Sequence, residues 1–223
     1  DVSTMAHELG HAMHSYYSDN NQTYTNSSYP IFLAEIASTV NEVLLNEYMI
    51  KNAKTNEEKL FYITKFLDEF RATVYRQTQF AEFEYLVHEM DKEEVPLTTE
   101  KLYETYYDLN TLYYKNVVND EEIGYEWSRI PHFYTPFYVY KYATGFSCAI
   151  KIANDILNNK EGALENYLCF LKSGGSDYPL NILAKCGIDM RKTDVIDDAV
   201  VMFKDRLIMA KKLREEMINN GSK

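Results

Sequence analysis

Residues that form tight turns are scarce in this chain, which contains 8 Gly and 5 Pro among 223 residues. Their combined share, about 6%, is roughly half of the share that is usual in globular proteins. Sandwiches, barrels and propellers need many tight turns, so this scarcity argues against those folds. Apolar residues recur at helical spacing, and strand-like alternation is scarce. We therefore predict an all-α, multi-helical fold.

The breaks between the apolar-periodic segments give the expected helix bounds. Thr55 and Glu58 match a capping box, which predicts that a long helix begins there. Asn/Ser/Thr-rich residues 19–29 and the irregular residues 120–136 are predicted to be loops. The predicted helices cover residues 3–18, 30–50, 55–90, 99–116, 137–157, 162–171, 179–186 and 194–218.

Charge and cysteine content exclude several classes of protein. The formal net charge is −11, so no basic stripe is available for a nucleic-acid partner. The three cysteines, Cys148, Cys169 and Cys186, are odd in number and lack a CxxC, which disfavours disulfides and a Cys-zinc site. We expect them to be buried thiols of a cytoplasmic protein. No apolar run is long enough to span a membrane, so no membrane partner is expected.

One motif carries chemistry: His7-Glu8-Leu9-Gly10-His11 is an HExxH on the first predicted helix. Residues i and i+4 share a helix face, so both imidazoles can reach one ion. Glu8 sits beside that face, where its carboxylate could contact a metal-bound water. Zinc suits this arrangement because it binds neutral imidazole and acidifies bound water. On the order of 0.01 chance matches are expected in a chain of this composition.

A catalytic zinc needs a third protein ligand and one open position. The second predicted helix offers three acids, Glu35, Glu42 and Glu47. The intervening loop is long enough to reverse the chain, which would place Glu35 opposite the two histidines. Glu42, two turns on, could orient a ligand imidazole, although it could equally be an ordinary solvated acid. Glu47 is less favoured.

Three further features bear on this site. Glu8-x-x-His11 also matches the ExxH of di-iron bundles, but no second ExxH exists, so a di-iron site is not predicted. His14 is expected to pack or to support a ligand, because a fourth ligand would close the open position. Gly10 costs about 1 kcal/mol relative to Ala in a helix, which a close approach by another helix or by substrate would explain.

Four stretches of the sequence resemble a known family. The stretches MAHELGHAMHS at residues 5–15 and FLAEIASTVNE at residues 32–42 are similar to the metal-binding core of the oligoendopeptidase F group. That group belongs with thimet oligopeptidase and neurolysin among the zinc oligopeptidases. RIPHFYTPFYVYKYATG at residues 129–145 and RQTQFAEFE at residues 76–84 fit the same group, so the resemblance covers essentially the whole chain.

The resemblance implies a site and a fold. It assigns one Zn²⁺ per chain to His7, His11 and Glu35, and the role of general base to Glu8. The implied fold is a zincin-type, all-helical shell around a deep channel. Residues 1–223 would form the catalytic zinc-peptidase domain and about half of that shell. Because the chain begins at Asp1 rather than Met, we expect an N-terminal helical region to supply the opposite wall and to act as a partner.

The resemblance also implies hydrogen-bond donors for the oxyanion. A His and one or two Tyr serve this purpose in the family, and His132 matches the histidine. The usual spacing does not transfer cleanly to the tyrosine, because the position five residues after His132 is Phe137. Tyr138 is the best candidate and Tyr142 the next, while Tyr134 and Tyr140 are more simply explained as core or channel wall. His88 is expected to be structural.

These observations lead to two functional hypotheses. The first is a zinc-dependent metalloendopeptidase that hydrolyses short oligopeptides, its water activated by zinc and deprotonated by Glu8. The second is a non-catalytic helical fragment that binds zinc or a partner only structurally.

Overall fold

The computed structural model describes residues 2–221, and every regular element in that range is helical. This confirms the all-α prediction. None of the helices in the described range combines the length and apolar composition needed to cross a membrane. Within residues 2–221 there are ten α-helices: α1 Val2–Asn21, α2 Tyr24–Ser27, α3 Ile31–Asn52, α4 Asn56–Phe70, α5 Arg76–Lys92, α6 Thr99–Tyr113, α7 Tyr140–Leu157, α8 Ala163–Lys172, α9 Pro179–Lys185 and α10 Asp194–Gly221.

Three segments differ from the sequence predictions. The long helix predicted over residues 55–90 is divided by one turn of π-helix at Arg71–Tyr75. A π turn needs no Gly or Pro, so composition does not mark it. The predicted loop at 120–136 contains two 3₁₀ helices, Glu121–Arg129 and Pro131–Tyr134, whose three-residue spacing does not match α-helical periodicity. The predicted loop at 19–29 contains the short α2.

The chain divides into two compact units. The first consists of Asp1–Phe70 together with Thr144–Lys223, and the second consists of Arg71–Ala143. The first unit therefore contains α1 to α4, most of α7, and α8 to α10. The second contains the π turn, α5, α6 and the two 3₁₀ helices.

The core of the first unit is built around α3. Fully buried residues of α3 pack with buried residues of α7, α8 and α9 in one cluster that includes Leu33, Ile36, Val40, Cys148, Ile152, Phe170 and Leu183. Burial raises the pKa of the Cys148 thiol to about 12, so this thiol stays protonated. Cys186 is buried as expected, but Cys169 is exposed, which corrects that part of the prediction. The apolar side of α3 is thus held rigidly from several directions.

Helices α1 and α3 pack closely at Gly10. A Cβ atom built on Gly10 would lie 2.5 Å from the Ser38 Cα and 2.9 Å from the Ala37 carbonyl oxygen. These are backbone atoms, so they cannot move aside as a flexible side chain would. The close approach by another helix, expected from the sequence, accounts for a glycine within a helix.

Replacing Gly10 by Ala should therefore lower the free energy of unfolding by about 1–2 kcal/mol, since overpacking outweighs the gain in helix propensity. The matched control is Gly145→Ala on α7, where the nearest atoms to a new Cβ lie 3.8 Å away. That substitution should be neutral or stabilise the protein by up to about 1 kcal/mol. Urea unfolding of both variants measures the difference, and equal stability of the two would contradict the packing argument.

The second unit is held together by an aromatic core and a polar network. Phe80, Phe83 and Tyr106 are buried in one cluster between α5 and α6. The Tyr106 hydroxyl donates to the buried Glu126 carboxylate at 2.6 Å, and Arg76 and Arg129 pair with the same carboxylate. The Tyr113 hydroxyl donates to Glu82 at 2.8 Å. Two of the tyrosines that crowd α6 thus connect helices through buried or half-buried acids.

Candidate metal centre

The candidate metal centre lies where α1 and α3 face each other. Gly10 approaches Ser38, and the Asn41 side-chain amide donates to the Ala6 carbonyl at 3.2 Å. The earlier residue of α1, Ala6, thus contacts the later residue of α3, Asn41, and the two helices run antiparallel. This is the reversal expected from the loop length, and it places Glu35 across from the two histidines of α1.

His7, His11 and Glu35 come together at this point. The Nε2 atoms of His7 and His11 lie 3.1 Å apart, and the Oε2 atom of Glu35 lies 3.7 Å from His7 Nε2. The ligand atoms of all three lie within 4.8 Å of one another. Two ligands at tetrahedral angles on one zinc are separated by about 3.3 Å, so the imidazole pair already fits zinc. The Glu35 side chain is 44% exposed, so its carboxylate has room to move toward an ion held by the two imidazoles.

Glu42 supports the site from the other side of His7. Its Oε2 lies 3.3 Å from His7 Nδ1, on the ring nitrogen that does not face His11. A carboxylate at Nδ1 keeps the proton on that nitrogen and leaves Nε2 with its lone pair, as metal ligation requires. Glu47 forms an ion pair with Arg206 instead. The three acids of α3 therefore have three different surroundings.

Glu8 has the exposure expected of a group that acts on an incoming molecule. It is exposed on α1, and it forms no hydrogen bond or ion pair with any other described residue. Its side chain points about 100° around the helix from His7, because successive residues of an α-helix are separated by that angle. Glu8 is thus adjacent to the imidazole pair in sequence without being a member of the three-residue group.

His14 is packed as a core residue. Its side chain is fully buried, and its ring stacks on Tyr29 with the centroids 3.6 Å apart. Burial, followed by the neighbouring charge of His11, lowers the pKa of His14 to about 4, so its ring is neutral at neutral pH. Both ring nitrogens lack a hydrogen-bond partner among the described residues. His14 is outside the three-residue group, in agreement with the expectation that it packs.

One acid near this centre is absent from the sequence predictions. Glu69 lies on α4, and burial together with the charge of Glu42 raises its pKa to about 7. The Glu69 carboxyl group can therefore hold a proton close to neutral pH, unlike an ordinary exposed glutamate. No motif includes Glu69, since its closeness to Glu42 arises only from the packing of α4 on α3. The sequence offers no signal from which this proximity could have been found.

The remaining predicted residues form a separate aromatic cluster in the second unit. The Tyr142 hydroxyl and His132 Nε2 are hydrogen-bonded at 3.2 Å, and the Tyr138 ring stacks on the His132 ring at 5.6 Å. The Lys141 ammonium lies 4.7 Å from the centre of the Tyr138 ring. The Tyr138 hydroxyl forms no hydrogen bond with another described residue. Two donors, His132 and Tyr138, are thus brought together, and Tyr142 fixes the imidazole.

Among the described residues, the other two tyrosine candidates make no ring contact with His132. Tyr134 is 89% exposed and Tyr140 is also exposed. Neither ring is stacked on His132, whose ring contacts are those with Tyr138 and Tyr142. His88 stacks on Phe137 at 4.7 Å, in agreement with a structural role.

Comparison with known proteins identifies the family. The sequence pattern of Peptidase family M3 matches residues 1–202. The chain is 48% identical over 208 residues to "Oligopeptidase PepF" of Bacillus subtilis (strain 168), covering 93% of this chain and 31% of that protein. It is 46% identical over 220 residues to "Oligoendopeptidase F, plasmid" of Lactococcus lactis subsp. cremoris, covering 98% of this chain and 37% of that protein.

A solved structure gives the same result. The crystal structure of oligoendopeptidase-F from Enterococcus faecium superposes with a TM-score of 0.88 at 46% identity, covering 96% of this chain and 39% of that chain. The chain thus spans about a third of the length of the curated relatives it matches. The helical fold and the resemblance to the oligoendopeptidase F group are both confirmed.

Proposed function

The chain belongs to peptidase family M3, and we propose that it carries the zinc site of a metalloendopeptidase that hydrolyses short oligopeptides. The observation that carries this proposal is the convergence of His7, His11 and Glu35 from two antiparallel helices. The names of the relatives, an oligopeptidase and an oligoendopeptidase, support peptides as the substrate class. The whole protein is the acting unit in this proposal.

The donor set fits zinc. Two imidazoles and one carboxylate are a common ligand set for catalytic zinc, and they leave one position open. When bound, zinc supplies Lewis-acid chemistry, lowering the pKa of a coordinated water and polarising a substrate carbonyl. His7, His11 and Glu35 would hold the ion, and Glu42 would keep the His7 ring in the tautomer that can ligate.

Glu8 moves the proton. Its carboxylate is exposed and unpaired among the described residues, so no competing bond must be broken before it accepts a proton from the attacking water. The same carboxyl group then passes this proton to the nitrogen of the scissile peptide bond. The nitrogen can then leave as a neutral amine and not as an anion. One residue thus serves first as base and then as acid.

His132 and Tyr138 stabilise the developing oxyanion in this proposal. Peptide hydrolysis places negative charge on the former carbonyl oxygen, and preorganised hydrogen-bond donors lower the energy of that state. His132 and the unpaired Tyr138 hydroxyl provide such donors. Tyr142, hydrogen-bonded to His132, orients the imidazole and adds a second phenol to the cluster.

The test is metal removal from the whole protein, followed by hydrolysis of a quenched oligopeptide. Chelation should abolish at least about 99% of the activity, and one equivalent of zinc should restore it, because the ion supplies the Lewis acid. The second hypothesis from the sequence is a non-catalytic helical fragment. It predicts that zinc binds but that neither the metal-free nor the zinc-restored protein hydrolyses the peptide. Hydrolysis that survives complete removal of metal would contradict the proposal.

A further inference from the structure

Helix α5 carries a buried acid, Glu84, that lies outside the proposed catalytic and metal-binding residues. Glu84 is 6% exposed, and it forms no ion pair with any described residue. Its Oε1 accepts a hydrogen bond from the backbone N–H of Phe137 at 2.7 Å. Burying a carboxylate without a cationic partner is costly, and a charge-assisted bond to one backbone N–H offsets only part of that cost. We therefore expect the buried Glu84 carboxylate to hold the backbone that it contacts in place.

The residue that Glu84 holds has a strained backbone. Phe137 is not a glycine, yet its φ is +54°, in the left-handed region. Left-handed residues with a side chain persist only when their surroundings fix them. The His88 ring, one helical turn after Glu84, stacks on the Phe137 ring at 4.7 Å. Helix α5 thus holds both the backbone and the side chain of Phe137.

This strained residue separates the two proposed oxyanion donors. His132 lies on the 3₁₀ helix that ends at Tyr134, and Tyr138 follows Phe137 directly. Their rings stack at 5.6 Å with an angle of 23° between them. If Phe137 relaxed to a right-handed φ near −63°, its φ would rotate by about 117° and Tyr138 would leave the His132 ring.

We propose that Glu84 is a positioning residue for the peptidase reaction, and that its carboxylate holds Phe137 in the left-handed turn that sets Tyr138 against His132. This inference rests on the proposed function. A misplacement of about 1 Å at a reacting group can lower a rate about 100-fold, so loss of this single hydrogen bond is expected to act on kcat. KM should change little, because Glu84 does not contact the peptide in this account.

The experiment compares three variants of the whole zinc-loaded protein with the wild type. Glu84→Leu removes the acceptor and should lower kcat by about 30-fold or more, with KM within about threefold. Glu84→Gln keeps an acceptor oxygen without the charge and should stay within about fivefold of the wild type. The control is Glu82→Leu on the same helix. It removes the hydrogen bond from Tyr113 but no contact with the turn at Phe137, so it should keep the wild-type kcat.

Zinc content and the urea unfolding midpoint are measured for each variant. If Glu84→Leu does not fold, His88→Ala at an exposed position replaces it, and should lower kcat by about fivefold through loss of the stacking on Phe137. A folded Glu84→Leu, or in its place His88→Ala, with wild-type kcat overturns the positioning role alone. A wild-type protein that carries zinc and hydrolyses no peptide overturns the proposed function, and this inference with it.

Discussion

Replacing Glu8 by glutamine should lower kcat for peptide hydrolysis by about 10³-fold or more, while one zinc ion per chain remains bound. Glutamine has the size of glutamate but cannot accept the proton of the attacking water, and general acid–base catalysis contributes about 10²–10⁴-fold to rates. Glu8 is exposed and outside the three-residue metal group, so this substitution removes no ligand and leaves no buried group unpaired. Hydrolysis of a quenched peptide and metal analysis on the same sample measure both quantities.

The control for this result is Asp19→Asn, which removes one negative charge from the same helix at an exposed position. It separates loss of a base from loss of charge on α1, and it should keep the wild-type kcat. A Glu8→Gln protein that retains a tenth or more of wild-type kcat would assign the base to another group. Loss of zinc in that variant would instead place Glu8 among the ligands.

Substitutions at the three acids of α3 should have three different outcomes. Glu35→Ala removes a proposed ligand and should weaken zinc binding by more than about 100-fold, with activity lost at ordinary zinc concentrations. Glu42→Gln leaves the ligands in place but weakens the support of His7 Nδ1, and should cost about 10–100-fold in zinc affinity. Glu47→Gln breaks the ion pair with Arg206 and should lower stability without changing zinc affinity.

Competition with a chromogenic chelator measures these three affinities, and urea unfolding measures the stabilities. The order Glu35, Glu42, Glu47 follows from what each carboxylate faces: Glu35 lies beside the ligand nitrogen His7 Nε2, Glu42 lies beside His7 Nδ1, and Glu47 pairs with Arg206. A larger loss at Glu42 than at Glu35 would exchange their roles and place the Glu42 carboxylate on the metal. An equal loss at Glu47 would mean that the variants act through folding.

Much of the first unit could be predicted from local sequence. The HExxH motif fixes the spacing of two ligands on one helix face, and a loop of the right length brings Glu35 across from them. The scarcity of Gly and Pro favoured helices throughout, and the described residues contain only helical elements. The oddity of Gly10 indicated a close approach, which α3 provides.

What could not be predicted depends on contacts between distant segments. Glu69 and Glu42 are separated by a helix boundary, and no periodicity indicates that their charges interact. Glu84 and Phe137 are far apart in the sequence, and a left-handed φ at a phenylalanine is opposite to what its residue type favours. The π turn at Arg71–Tyr75 likewise has no turn-forming residue to mark it.

We expect His7, His11 and Glu35 to hold one zinc ion. Crystals of the whole zinc-loaded protein, measured on both sides of the zinc absorption edge, test it directly. We predict one anomalous peak per chain, about 2.0–2.2 Å from the Nε2 atoms of His7 and His11 and from a Glu35 carboxylate oxygen. A peak bound by Glu42 in place of Glu35, or zinc held away from the two histidines, would contradict it.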